Sequence, residues 1–254
     1  MSDKRDNHQT PKDATRERHG AATCLWAEKW LSAERLAPYL EECNGDISKA
    51  LELYKWNVSL GQLLMRDICY FEVALRNAYN DVMESRWDGE KHWLLDDASP
   101  ARRPVMRKSK KGMLDSNRIN RKTIDAAAAG LPRGFTTGSL VAGLTLGFWV
   151  HLTDRSRETV IWRSYLYRAW PKGTNRAELQ ERLYGILRLR NRVAHSERLF
   201  DPKRGELSPR KVSADAVGLL RLLCPEAADF LYGDDSLPLV EFLREHPAPV
   251  EIEL

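Results

Sequence analysis

The sequence predicts an all-α fold, most simply a helical bundle with long insertions. Three observations carry this. Leu60, Leu64, Ile68, Phe71, Leu75, Ala78 and Val82 recur at spacings of four and three, the pattern of an amphipathic helix of about seven turns. Further apolar-periodic segments follow, separated by Gly, Pro and Asn positions that stop or start helices. Strand signals are scarce, and only Val250 to Leu254 reads as extended. A chain of 254 residues, 43% of them hydrophobic, can bury a sizeable core in one large domain or two small ones.

Residues 1–22 mix charged and polar side chains with almost nothing to bury, so a disordered tail is expected. Helical patterning starts near Cys24, and Ser32 is placed to cap a helix through Cys43. Gly45 suits a left-handed C-cap and Asp46 an N-cap, which opens a short helix to about Trp56. The long helix then begins near Ser59 and ends before Asp88-Gly89. From Leu94 to Gly138 periodicity is lost among Pro100, Pro104 and Pro132, so this stretch reads mainly as loop, with a short helix over Asn120 to Ala129. Ser139 is expected to cap a buried helix through Leu152, where Gly143 and Gly147 would let a neighbour approach closely. Asp154 to Trp170 follows as a helix with Val160, Ile161, Tyr165, Leu166 and Ala169 on its apolar side, until Pro171-Lys172-Gly173 breaks it. Asn175 to His195 is the next helix, with Leu179, Leu183, Ile186, Leu187 and Val193 facing inward. After a polar turn over Arg198 to Pro209, helices over Ser213–Leu223, Pro225–Leu231 and Leu239–Arg244 make a C-terminal extension spanning 201–254.

Charge is concentrated in one place. Arg102, Arg103, Arg107, Lys108, Lys110, Lys111, Arg118, Arg121 and Lys122 share the segment 101–122 with a single acid, Asp115. Nine cations against one anion give +8, which leaves −4 for the rest of a chain whose net charge is +4. Such density implies a polyanionic partner, RNA, weighed evenly against a solvated loop. With no aromatics interleaved, the expected grip is on the backbone, without base stacking. The four cysteines, at 24, 43, 69 and 224, form no C-x-x-C pair, and no His stands at a zinc-ligand spacing from them. Free thiols in a reducing compartment are expected, with neither a metal nor a cofactor. The N-terminus is polar, and the longest apolar stretch, Ser139 to Leu152, falls short of the roughly twenty residues that cross a bilayer. A cytoplasmic protein without a membrane partner is expected.

The stretch Leu189-Arg190-Asn191-Arg192-Val193-Ala194-His195 carries the chemistry. Asn191 and His195 are four apart and share a helix face, while Arg190 stands about 140° from His195 on an ideal helix. A guanidinium holds two phosphate oxygens at once. An imidazole, with an ordinary pKa of about 6.5, exchanges protons near neutrality. A carboxamide can bond a ribose hydroxyl or fix the imidazole tautomer. The structural alternative is a helix end at which Arg and Asn cap carbonyls and His195 packs.

Leu187 to Glu197 carries an R-x4-H pattern that resembles the HEPN superfamily, whose ribonuclease members use R-x4–6-H. More narrowly, the chain resembles the Abi-like family of bacterial abortive-infection proteins, the AbiD/AbiF group. Tyr54-Lys55-Trp56-Asn57, the E-x-x-L-R-N segment within Phe71 to Ala78, and the G-F-W-x-x-L segment within Leu146 to Leu152 carry the likeness, which covers roughly residues 25–200. The resemblance implies a HEPN-type helical domain over 23–200 with a basic insertion near 100–122. It implies antiphage abortive infection through metal-independent endoribonuclease action, with Arg190, Asn191 and His195 catalytic and RNA as substrate. Glu72, Arg76 and Asn77 would support the motif, against the plainer reading of Glu72 and Arg76 as an internal ion pair. A homodimer would bring two motifs together, and a phage trigger or a neutralising partner is implied. Relatives often carry a second His directly after the first, where this chain has Ser196. The competing readings are a non-catalytic HEPN-type module that binds RNA or a protein and senses infection, and a plain helical interaction domain.

Overall fold

The computed structural model describes residues 25–109, 112–200, 207–233 and 237–254. The expected disordered tail over 1–22, Cys24, Lys110 and Lys111 lie outside the described residues. The fold is all-α apart from one small hairpin. In chain order come α1 (25–31), α2 (Ala33–Glu42), α3 (Ile47–Glu84), β1 (Met106–Ser109), β2 (Gly112–Asp115), α4 (Arg118–Ala129), α5 (Thr137–Gly143) and α6 (Leu146–His151). Then follow α7 (Arg176–Ala194), α8 (Pro209–Leu223), α9 (Pro225–Tyr232) and α10 (Pro238–Glu245).

Helix α3 is the axis of the molecule. Its Leu60, Leu64, Ile68, Phe71, Leu75 and Tyr79 are buried in a single hydrophobic core. It packs against α2, α5, α6, α7, α8 and α10. It starts where Asp46 Oδ1 accepts from the Ser48 and Lys49 amides at 3.0 and 3.1 Å, after Gly45 turns the chain at φ 82°. The expected division near Trp56 is absent: α3 is one helix of 38 residues. Neither Gly nor Pro stands between Trp56 and Leu60, and the polar Asn57 is buried and bonded to a distant loop.

Other expectations are corrected as well. The helix over Ser139–Leu152 is two, α5 and α6, because the chain is extended at Leu144 and Thr145. Thr136, not Ser139, caps α5, its Oγ1 accepting from the Ser139 amide at 3.1 Å. The helix over Asp154–Trp170 is a chain of short turns: 3₁₀ at Arg155–Arg157, π at Glu158–Trp162 and 3₁₀ at Leu166–Ala169. Side chains fix this path in place of a helical ladder. Tyr79 OH and Thr153 Oγ1 are 2.8 Å apart, and Trp170 Nε1 donates to Tyr79 OH at 3.2 Å. The presumed loop near residue 100 contains the antiparallel pair β1–β2, with Arg107 opposite Leu114 and Lys108 opposite Met113. Val250 to Leu254 forms no strand. Helix α8 begins at Pro209 rather than Ser213, and α4 at Arg118 rather than Asn120.

The C-terminal helices close over α3. Trp56 Nε1 donates to the His246 carbonyl at 2.8 Å, and Tyr232 OH donates to the buried Asp67 at 3.0 Å. Among the described residues no helix is long and apolar enough to cross a membrane.

Candidate active site

The R-x4-H stretch ends helix α7. Asn175 caps its start, Oδ1 accepting from the Ala177 amide at 2.9 Å, and His195 is the C-cap, its N–H donating to the Asn191 carbonyl at 3.0 Å. The apolar face of α7 brings this end against α3. Gly61 permits the approach: a methyl group there would lie 3.3 Å from Val193 Cγ1. Gly147 on α6 faces Leu187 in the same way, at 3.7 Å, whereas Gly143 borders open space. Asn191 and His195 are exposed and Arg190 is half-buried, so the motif is reachable from solvent.

The backbone beyond His195 is held tightly. Ser196 takes a left-handed conformation at φ 53°, which turns the chain off the helix. Asn57 then clasps it: Nδ2 donates to the Glu197 carbonyl at 3.2 Å and Oδ1 accepts from the Leu199 amide at 2.7 Å. The buried Arg192 donates through Nη2 to the Arg198 carbonyl and faces Glu197 at 3.5 Å. Arg35 on α2 reaches the His195 carbonyl at 3.5 Å. None of these three roles is assigned by the sequence. Asn57 lies within the Tyr54–Asn57 stretch, but its partners stand about 140 residues away.

Arg190 meets the other side of α3. Its Nη1 donates to Asn191 Oδ1 at 3.4 Å. Glu72 is half-buried beside it. Burial pushes the Glu72 carboxyl up from its ordinary 4.5, opposed by the charge of Arg190, by the Leu146 amide at the start of α6 and, less, by Arg76. Three sequence stretches far apart in the chain therefore converge on one carboxylate: α3 supplies Glu72 and Arg76, α6 the amide, α7 the guanidinium. Glu72 forms no ion pair within 4 Å with Arg76 or with Arg190 among the described residues; the charge of Arg190 acts on it more than that of Arg76. Asn77 is exposed and makes no side-chain hydrogen bond among the described residues.

The basic segment divides into two kinds of cation. Arg102 is nearly buried, bridging Asp97 and Asp125 at 2.8 Å each, and Arg121 pairs with Asp115 and donates to the Arg102 carbonyl. These two hold the hairpin together. Arg103, Arg107, Lys108, Arg118 and Lys122 are exposed. The base of the hairpin is pinned by buried Arg157, whose Nε donates to Asn117 Oδ1 at 2.9 Å and whose Nη1 donates to Asp154 Oδ2 at 2.9 Å. Asp154 also accepts from Tyr184 OH at 2.8 Å, and His151 Nδ1 lies 2.8 Å from that hydroxyl. His151 is half-exposed and joins α6 to α7 through this network.

The chain matches no curated protein and no solved structure. The family model described as Abi-like protein matches residues 30–201, a span that takes in α3, α6, the hairpin and the whole R-x4-H stretch. The chain belongs to the Abi-like protein family.

Proposed function

We propose that this protein is an abortive-infection endoribonuclease whose site is the end of α7. The observation that carries the reading is the position of Arg190 and Asn191, joined by a hydrogen bond, beside a solvent-reachable His195. The Arg190 guanidinium forms no ion pair within 4 Å among the described residues, which leaves N–H groups for a phosphate. As negative charge builds on the phosphoryl oxygens, that cation stabilises the transition state. His195 takes the proton from the ribose 2′-hydroxyl, which attacks the adjacent phosphorus and breaks the bond to the 5′-oxygen; that oxygen leaves with a proton from an imidazolium of the motif, that of the same or the second copy. The products carry a 2′,3′-cyclic phosphate and a 5′-hydroxyl. The attacking group comes from the substrate, so this residue set accomplishes the step without a metal. Exposed Arg107, Lys108 and Arg118 supply charge for the strand to follow.

In this reading the protein acts as a homodimer in which two copies of the motif form one composite site, which resolves the angular separation of Arg190 and His195 on a single helix. Purified protein should cleave total RNA in the presence of EDTA, and His195→Ala should not. Equal cleavage by both would overturn the assignment. The second reading, a module that binds RNA without cutting it, is favoured by the basic hairpin and would show as retained RNA binding with no new ends.

A further inference from the structure

A cavity of about 160 Å³ lies between the hairpin, the start of α4 and the end of α6, with Arg107, Arg118 and His151 in its wall. That volume is below the range of sites that enclose a whole small ligand, about 300–1,000 Å³, and suits one sugar–phosphate unit. We propose that this cavity reads one nucleotide of single-stranded RNA: Arg107 and Arg118 hold its phosphate, and His151 Nε2 accepts from its ribose 2′-hydroxyl. The proposal deepens the nuclease reading, on which only its place along the strand rests.

The hydrogen positions around His151 follow from one phenol. Tyr184 OH has a single hydrogen, which it donates to Asp154 Oδ1 at 2.8 Å. His151 Nδ1 stands 2.8 Å from the same phenol oxygen and 3.4 Å from Asp154 Oδ2, so Nδ1 carries a hydrogen of its own and donates. Burial alone would push the Asp154 carboxyl up, but hydrogen bonds from His151 and Tyr184 and the charge of Arg157 hold it below its ordinary 3.8. It therefore stays the acceptor in this network. With the hydrogen on Nδ1, Nε2 of the neutral ring is an acceptor. Nε2 makes no hydrogen bond among the described residues and is not one of their buried unpaired atoms. The side chain is 39% exposed, so Nε2 is open to a ligand.

The free charge of the cavity is positive. Arg107 and Arg118 are exposed, and their side chains form no ion pair or hydrogen bond among the described residues. Both acids in the wall are spent within the protein. Asp154 accepts from Arg157 and Tyr184, and Asp115 from Arg121 and the Val105 and Asn117 amides. Buried Arg157 gives all its N–H groups to protein acceptors, so it shapes the wall and offers nothing to a ligand. Exposed Leu114 and Ile119 edge the cavity and give apolar contact to a sugar or base. Two cations for a phosphate beside one acceptor for a hydroxyl describe a ribonucleotide; a deoxyribonucleotide lacks the hydroxyl.

Helix α7 leads from this cavity to the motif. Tyr184, Arg188, Asn191 and His195 recur at four, three and four, so they share a face about 16 Å long. The Tyr184 ring meets that of His151 edge-on, with centroids 5.6 Å apart. Exposed Arg188 lies between, in a groove of about 580 Å³ that Tyr184 also lines.

The test is binding of a single-stranded RNA, and of DNA of the same sequence, to the full chain carrying His195→Ala so that the RNA stays whole. Adding His151→Asn keeps a donor for the Tyr184 oxygen and removes Nε2. That protein should bind RNA about tenfold more weakly, keep its DNA affinity and melt with its parent. Arg118→Ala should weaken RNA and DNA alike and lower the slope of log K against log salt by about 0.7, the share of one single-strand phosphate. Arg210→Ala, an equal loss of exposed charge on α8, should do less. A His151→Asn protein that keeps its RNA affinity, or loses RNA and DNA alike, would overturn the site. So would an Arg118→Ala protein that binds no more weakly than Arg210→Ala. Either result leaves cleavage by His195 intact. Competition by poly-glutamate as strong as by RNA would give the cavity to a protein's carboxylates, and would overturn the site as well. The expected pattern, from a chain whose wild type cuts no RNA, would keep the site and remove the nuclease.

Discussion

Asn57 accepts a hydrogen bond from the Leu199 amide at 2.7 Å, and so fixes the chain four residues past His195 onto the central helix. The same carboxamide donates to the Glu197 carbonyl. Replacing Asn57 by Ala leaves two backbone groups without these partners, at a cost of about 2 kcal/mol. We expect Asn57→Ala to melt below wild type and to lose RNA cleavage more steeply than stability alone explains. Denaturant unfolding and cleavage assayed on the same preparation check this.

Glu72 gives a pH prediction with a definite sign. Burial raises its folded pKa above the ordinary 4.5, despite Arg190. A carboxyl that holds its proton more tightly when folded contributes its full stability below about pH 4.5, and loses it as pH rises through the folded value. Glu72→Gln removes that loss. The variant should therefore gain stability on wild type as pH rises above about 4.5. It should also cleave roughly tenfold more slowly, about 1.4 kcal/mol in barrier, because Arg190 loses the nearby carboxylate charge. Thermal melts across pH and initial rates separate the two effects.

The cations of the basic segment should behave as two classes. Reversing Arg107 and Lys108 to Glu should weaken RNA binding and flatten its salt dependence, with the melting temperature unchanged. Arg102→Ala should do the reverse, since its guanidinium bridges Asp97 and Asp125 inside the fold. We expect a loss of about 1–2 kcal/mol in stability. Salt-titrated binding curves beside melting curves distinguish the classes.

Gly61 and Val193 set how closely α7 approaches α3. Gly61→Val should destabilise by about 1–3 kcal/mol through overpacking, and Val193→Ala in the same chain should recover part of the loss. A double-mutant cycle measures the recovery.

Local chemistry explains which parts of this fold are legible in sequence. Asp46 is an N-cap whose partners lie two or three residues away, and it reads correctly. The apolar stripe of α3 reads equally well. The boundary expected near Trp56 fails, and nothing local signals that Asn57, inside one continuous helix, bonds a loop about 140 residues away. The hairpin escapes detection because the described residues of β1 and β2 bury no alternating face; Arg157, Asn117 and Asp115 pin its base through contacts as far as 40 residues away. The segment 154–170 has helical apolar spacing, yet Tyr79, Thr153 and Trp170 hold it in short turns. At the site, Arg190, Asn191 and His195 stand out together because they are contiguous. Arg35 carries no sequence signal, because only folding brings α2 to the end of α7.

A shared site makes a prediction that no single chain can meet. Arg190→Ala and His195→Ala proteins, each inactive, should recover cleavage when mixed, because a mixed dimer holds one intact guanidinium and one intact imidazole. Absence of recovery, with subunit exchange verified, would place the whole site in one chain.

The nuclease chemistry itself is tested most directly by one substitution in the substrate. An RNA cut at a mapped bond is resynthesised with a single 2′-deoxyribose on the 5′ side of that bond. The account predicts that this bond alone survives, while the unmodified strand yields a 2′,3′-cyclic phosphate end. Cutting at the deoxy position would mean that the 2′-oxygen is not the nucleophile, and would contradict the role given to His195.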